Sequence, residues 1–264
     1  MNNYLVGYKF GIVWDGETEV DEYTIVNTSS NFEKKEVSIN TPFADCIVGK
    51  KRGDICFSNG NKFVIKYIVH PGFEDICKKR GIKYLYHFTS VDNLSSIMEY
   101  GILSQQQLQE LNIIYDCNDE ERLDNHKNFI SCSVEYPNGI LLNHFKKKLG
   151  KKYALLKVNI DVLNYKLAKC CKYNAATQYG NYITGLEGFF QLYEGVRTPM
   201  PQPFPSNEQS EILINEKIET QYIEQIIFET KEDEIKFGPS EKTIVNPKFF
   251  QYREKYLGYR TRWL

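Results

Sequence analysis

The sequence predicts an α+β protein in two unequal parts, a small β-rich module over residues 1–72 and a larger mixed part over residues 82–264. Three observations carry this reading. The first seventy residues hold short alternating or apolar runs rich in β-branched and aromatic residues, each bounded by turn residues. Pro71-Gly72 and the basic cluster Lys78-Lys79-Arg80 then read as a linker. Beyond them, strand-like and helix-like periods alternate over a length sufficient to bury a core.

Within the first part, Tyr23-Thr24-Ile25-Val26, Glu36-Val37-Ser38-Ile39 and the run Lys62 to Ile68 have the pattern of strands. Asn59-Gly60 is a hairpin signal, and Pro42 to Val48 is a short helical stretch. The hydrophobic set is 42% and charged residues are 25%, which excludes a disordered chain. No apolar run approaches the ~18 residues of a membrane span, and Met1-Asn2-Asn3-Tyr4-Leu5 does not open a signal peptide. The seven cysteines are odd in number and lack Cys-x-x-Cys spacing, so neither a disulfide framework nor a metal site is expected. A cytoplasmic protein with reduced thiols and no membrane contact fits these features.

Net charge is −1, but the charges segregate. Nine Lys and one Asp fall between Asn143 and Tyr173, whereas ten acids face three Lys between Pro205 and Glu241. A basic stripe beside an acidic body is the footprint of a polyanion groove, with Lys147 and Lys151 as candidate phosphate contacts. A solvated helix face is the competing reading.

In the second part, Tyr84 to Thr89 reads as a strand and Ser90 to Tyr100 as a helix. Thr89 or Ser90 caps that helix, Asp92 sits in its first turn and Gly101 ends it, while Val91, Leu94, Ile97 and Met98 form its apolar face. Phe129 to Val134 is an apolar strand, and Arg122 before it offers a fork for bidentate capture of phosphate or ribose oxygens. Glu211 opens another strand, Gln209 stands two residues earlier, and Glu208 lies one residue off the face that Glu211 sets. Asn174 begins a loop of amides and aromatics suited to reading base edges and stacking on unpaired bases. The proline-rich connection from Glu194 to Ser206 leads to Glu211.

Two resemblances follow. Tyr23 to Val26, Val37 to Ala44 and Ile47 to Asp54, with its Gly-Lys-Lys-x-Gly-Asp turn, resemble the C-terminal domain of GreA/GreB transcript-cleavage factors. That implies an FKBP-like interaction module over residues 1–72 able to dock on RNA polymerase. The coiled coil that performs chemistry in those factors has no counterpart here. His87-Phe88-Thr89-x-x-x-Asn93-Leu94-x-x-Ile97, with Arg122 and Gln209-x-Glu211, resembles ADP-ribosyltransferases and comes close to the DarT family.

The second resemblance implies a split, mainly antiparallel β core that takes NAD as substrate and needs no metal. His87, Phe88, Thr89, Asn93 and Arg122 would hold NAD. Glu211, Arg122 and Gln209 would be catalytic, while Asn174, Lys147 and Lys151 would meet nucleic acid. Breaking the nicotinamide–ribose bond develops positive charge on the sugar, and one fixed carboxylate on the ribose 2′-OH stabilises it. Nicotinamide leaves neutral, so no general acid is required. The implied function is that of a bacterial toxin, in a phage-defence setting and paired with a cognate antitoxin. It would move ADP-ribose onto a base of nucleic acid, with single-stranded DNA favoured. RNA or protein as acceptor, or a catalytically idle module that binds RNA polymerase, are the alternatives.

Overall fold

The computed structural model describes residues 8–26, 29–69, 73, 77, 80–117, 126–177, 182–193 and 203–258. The first part forms β1 (Lys9–Trp14), β2 (Asp21–Val26), β3 (Glu36–Ser38), helix α1 (Pro42–Ile47), β4 (Ile55–Ser58) and β5 (Asn61–Val69). These strands build a five-stranded sheet in the order β3-β2-β1-β5-β4, with only β2 and β3 parallel. Asn59 and Gly60 have φ of 51° and 81°, and Ser58 pairs with Asn61, which is the two-residue hairpin their side chains favour. Thr41 caps α1 by accepting from the Ala44 N–H at 3.2 Å. Phe43 of α1 stacks on Phe63 of β5 at 5.1 Å, and Ile12, Ile25, Val37 and Ile65 complete a core that belongs to this part alone.

The second part is an eight-stranded sheet in which only the last pair is parallel. Its order is β11 (Ile183–Thr184), β10 (Ala168–Cys171), β12 (Glu211–Asn215), β8 (Phe129–Val134), β6 (Tyr84–Ser90), β9 (Tyr153–Asn159), β14 (Ile223–Phe228) and β15 (Thr243–Val245). A two-stranded ribbon joins β7 (Ile102–Leu103) to β13 (Lys217–Ile218). Around these lie α2 (Leu94–Tyr100), α3 (Gln105–Glu110), α4 (Gly139–Leu149), α5 (Gly185–Gln191), α6 (Lys231–Phe237) and α7 (Arg253–Tyr256). None of the described helices is long and apolar enough to cross a membrane.

The eight-stranded sheet parts in the middle. β8 pairs with β12 from Phe129 to Cys132, but meets β6 only through Leu85–Val134 and Tyr86–Ser133. β6 meanwhile stays paired with β9 along its whole length, from Tyr84–Asn159 to Ser90–Tyr153. After Tyr86 the strands β6 and β8 therefore diverge and leave a wedge. Leu85, Leu156, Ile212, Ile214 and Ile226 are fully buried beneath it, with the Cys132 and Cys170 thiols as small apolar groups among them.

Two local expectations need correction. Of the expected linker 71–80 only Phe73, Cys77 and Arg80 are among the described residues, and Phe73 and Cys77 are buried in the larger core, with Phe73 packed edge-on against Phe189 at 5.1 Å. Their spacing of four residues is a helical apolar pair hidden between Pro71-Gly72 and the basic cluster. The expected helix from Ser90 also begins differently, since Val91–Asn93 is a 3₁₀ turn capped by Ser90 and regular α-helix starts at Leu94. Val91, Leu94 and Ile97 face the core as expected, with Met98 packed at its edge.

Gly101 ends α2 with φ of 85°, and a Cβ there would lie 2.5 Å from the Ile218 carbonyl of β13. Both the backbone region and the close approach require glycine. Gly101→Ala is expected to lower stability by about 3 kcal/mol, through strain and displacement of the β7–β13 ribbon. A lower urea midpoint with an unchanged slope is the measurement that checks it.

Candidate active site

The wedge between β6 and β8 is bridged by side chains. His87 Nδ1 donates to the Ser131 carbonyl at 2.9 Å, and because a carbonyl only accepts, this fixes the proton on Nδ1. The Ser131 hydroxyl donates to Glu211 Oε1 at 2.9 Å, and the Ala175 N–H donates to Oε2 at 2.8 Å. Glu211 is the first residue of β12, registered against Cys171 of β10, and its side chain is only 5% exposed. A buried carboxylate is tolerated when each oxygen has a donor, and here two different elements supply them. The Glu211 charge adds to burial in raising the Cys132 thiol on the neighbouring strand.

The bridged wedge is one wall of a cleft of about 650 Å³, within the ~300–1,000 Å³ range of small-molecule sites. His87, Phe88, Thr89 and Asn93 line it from β6 and the following turn. Thr89 is buried and accepts from Asn93 Nδ2 at 3.1 Å. Asn93 also pairs with the backbone of Asp116, giving Nδ2 to its carbonyl at 2.9 Å and taking its N–H at 2.7 Å. Phe88 sits between Phe145 and Tyr153, each at 6.1 Å. Burial, then the Asp116 charge, pushes the Tyr153 phenol up to about 12. A deep carboxylate able to accept from a sugar hydroxyl, polar strand groups and an apolar flank fit a nucleotide such as NAD. No cluster of metal-ligating side chains occurs among the described residues.

His87, Phe88, Thr89, Asn93, Asn174 and Glu211, separate in the sequence, thus line one cleft. Arg122 lies outside the described residues. Gln209 is not among the lining residues. Asn207 Oδ1 accepts the Gln209 N–H at 2.7 Å, so the chain is still turning there and the two-residue alternation of a strand begins only at Glu211. Glu208 is a structural carboxylate: it accepts the Arg253 N–H at 3.0 Å, and burial raises it above the ordinary range. Lys147 is exposed on α4, whereas Lys151 is paired with Asp116 in the cleft wall.

Sequence reasoning missed Ser131, Ser133 and Asp116, all of which line the cleft. Ser131 and Ser133 had a signal, as they alternate with Ile130, Cys132 and Val134 and make one polar face on an apolar strand. Asp116 had none, because only the fold brings it to Asn93.

The family model described as ssDNA thymidine ADP-ribosyltransferase, DarT, matches residues 86–239, more than half of the chain. That match defines the class, an NAD-dependent ADP-ribosyltransferase. The chain belongs to the DarT family of ssDNA thymidine ADP-ribosyltransferases.

Among solved structures, Thermus sp. 2.9 DarT in complex with ADP-ribosylated ssDNA is similar at a TM-score of 0.48 and 14% identity, over 63% of this chain and 95% of that one. The same protein with NAD+ gives 0.45 and 12%, over 63% and 96%. Thermosipho africanus DarTG in complex with ADP-ribose gives 0.47 and 16%, over 64% of this chain and 51% of that one, so the chain spans about half of its length. Among curated proteins none matches.

Ser131→Ala removes the hydroxyl that orients Glu211 but keeps the carbonyl that holds His87. A hydrogen bond to a charged group is worth about 1.5–3 kcal/mol, so transfer should fall about 10- to 100-fold in a folded protein. Ser131→Thr, which retains a hydroxyl, should recover most of it. The transfer rate of the two variants, measured beside their near-UV dichroism, checks this.

Proposed function

We propose that the cleft binds NAD across the divergence of β6 and β8 and delivers ADP-ribose to a base of single-stranded DNA threaded past Asn174. The observation that carries this is the Glu211 carboxylate, buried and held by Ser131 and Ala175 in the same cleft as His87 and Thr89. Each carboxylate oxygen has a second lone pair, so Glu211 can accept from a ribose hydroxyl without losing either donor. Its negative charge, shielded from water, then opposes the positive charge that develops on the sugar. NAD supplies the ADP-ribosyl group: the bond from nicotinamide to the ribose breaks, nicotinamide leaves neutral, and a nitrogen of the acceptor base bonds to the sugar and gives up its proton to solvent. His87, oriented through Nδ1, and Thr89 hold the nucleotide at the strand end. Arg122 clamps phosphate or ribose oxygens and acts on the acceptor base.

The acceptor side is read from Asn174 and the α4 rim. Asn174 Oδ1 accepts the Ala176 N–H at 2.9 Å, which holds the start of this loop beside the Ala175 amide on Glu211. Lys147 and Lys148 are exposed in the last turn of α4, and Lys148 lines the cleft. Two cations on one helix rim suit the backbone of an unpaired strand. A protein that modifies DNA in this way is harmful to its own cell, which is the reason to propose a cognate antitoxin. Residues 1–72 we propose as a GreA/GreB-like module that brings the enzyme to RNA polymerase, since their core is self-contained.

Labelled NAD offered with single-stranded DNA, duplex DNA, RNA and a protein extract tests the reading. Label on single-stranded DNA is expected. Label confined to RNA would move the acceptor class, label on protein alone would sink the nucleic-acid reading, and no label anywhere would favour an idle binding module. Glu211→Gln should keep the fold and NAD affinity while transfer drops about 10²–10³-fold. Deletion of residues 1–72 should leave transfer to naked DNA largely intact. The ion pair from this module, Lys51 to Glu216, is partly exposed and contributes little. A folded but inactive truncation would refute the modular picture.

A further inference from the structure

The wall of the cleft formed by Tyr115, Asp116 and Cys117 contributes no residue to the buried core clusters. From Leu111 to Cys117 no residue is buried, and Leu111 and Ile114 are 59% and 97% exposed. Core packing therefore holds this wall only weakly, and polar contacts carry most of its positioning. Asn93 provides the main one, an amide that pairs with both the N–H and the carbonyl of Asp116, as a neighbouring strand would. Its second Nδ2 proton goes to Thr89, so both donors are engaged within the protein. Lys151 holds the Asp116 carboxylate from the chain between α4 and β9. Ile113 N–H to the Leu108 carbonyl at 2.9 Å ties the segment back to α3.

We infer that Asn93 and Lys151 form a two-point latch on Asp116, and that both act on NAD affinity through the wall they hold rather than by touching NAD or DNA. Asn93 is a positioning residue on this assignment, and Lys151 leaves the nucleic-acid surface for the cleft wall. The inference rests on the proposed binding of NAD in this cleft.

The test measures NAD binding by calorimetry, KM and kcat for transfer, strand affinity against salt, and amide hydrogen exchange of residues 111–117. Asn93→Ala should raise KM and Kd for NAD about tenfold, with kcat within about threefold of wild type. Asp116→Asn and Lys151→Gln should each raise them only about two- to threefold, and the double variant no more than either single one, because they remove one shared, partly exposed ion pair. Lys151→Gln should keep the wild-type salt slope of strand binding. Exchange across residues 111–117 should quicken in Asn93→Ala with or without ligand. Unchanged NAD affinity in Asn93→Ala overturns the latch, and so does a flattened salt slope in Lys151→Gln with NAD affinity intact. If Asn93→Ala does not fold, the Asp116→Asn and Lys151→Gln pair decides alone. Wild-type protein that binds no NAD would instead defeat the functional reading, and the exchange data would still report on the latch.

Discussion

The hydrogen bond from His87 to the Ser131 carbonyl spans the point where the central sheet opens, and the site depends on it. A sheet that parts exposes backbone groups on two strands, and these must find partners or water. Here the His87 ring fills that role for β8, while the Ser131 side chain turns to Glu211 on the far strand. Histidine orientation, serine orientation and carboxylate orientation are thereby linked across β6, β8 and β12. The Ala175 amide completes the chain and ties the Asn174 loop to the same carboxylate. A nucleotide lying in the wedge would touch groups that already hold one another, which is the preorganisation that electrostatic catalysis requires.

Two neighbouring carboxylates show how burial divides labour. Glu211 opens into the cleft, whereas Glu208 is closed off against Arg253 and the α4 N-terminus. The lysine stripe divides in the same manner. Lys146 pairs with Glu229 at 2.5 Å, Lys152 with Asp233 at 3.6 Å and Lys166 with Glu219 at 2.7 Å, while Lys151 holds Asp116. Much of the local positive excess is thus answered by the acidic segment that the fold brings alongside. The basic surface left at the cleft is narrower than the sequence count implies, and it centres on the last turn of α4, where cations also complement the helix dipole.

The first part keeps its own core, built around Phe10, Phe43 and Phe63, and none of those buried residues belongs to the larger clusters. Its basic turn meets the larger part through Lys51 and Glu216, just beyond the strand that carries Glu211. Exposed ion pairs orient surfaces more than they stabilise them. Tyr67 lies over Gly11, where a Cβ would fall 2.3 Å from the ring, so the outer face of this small sheet is also packed with care.

Local order was legible in the sequence because it follows from local physics. The Asn59-Gly60 hairpin, the Phe129–Val134 strand, the Gly101 stop and the Glu211 strand start all rest on backbone preferences or on alternation within a few residues. Thr89, Asn174 and Glu211 could be chosen because each stands at or beside the end of such an element, and His87 because it shares a face of the same strand with Thr89. Asp116 could not be chosen, nor could the pairing of Lys151, because those contacts join positions 23 and 35 residues apart through the fold alone. That Gln209 and Glu211 do not share one strand face was hidden for the same reason, since only the Asn207 turn reveals that the chain is not yet extended at Gln209. Sequence determined which side chains could do chemistry; tertiary structure decided which of them meet, because a side chain's partner is set by the sheet that opens beneath it.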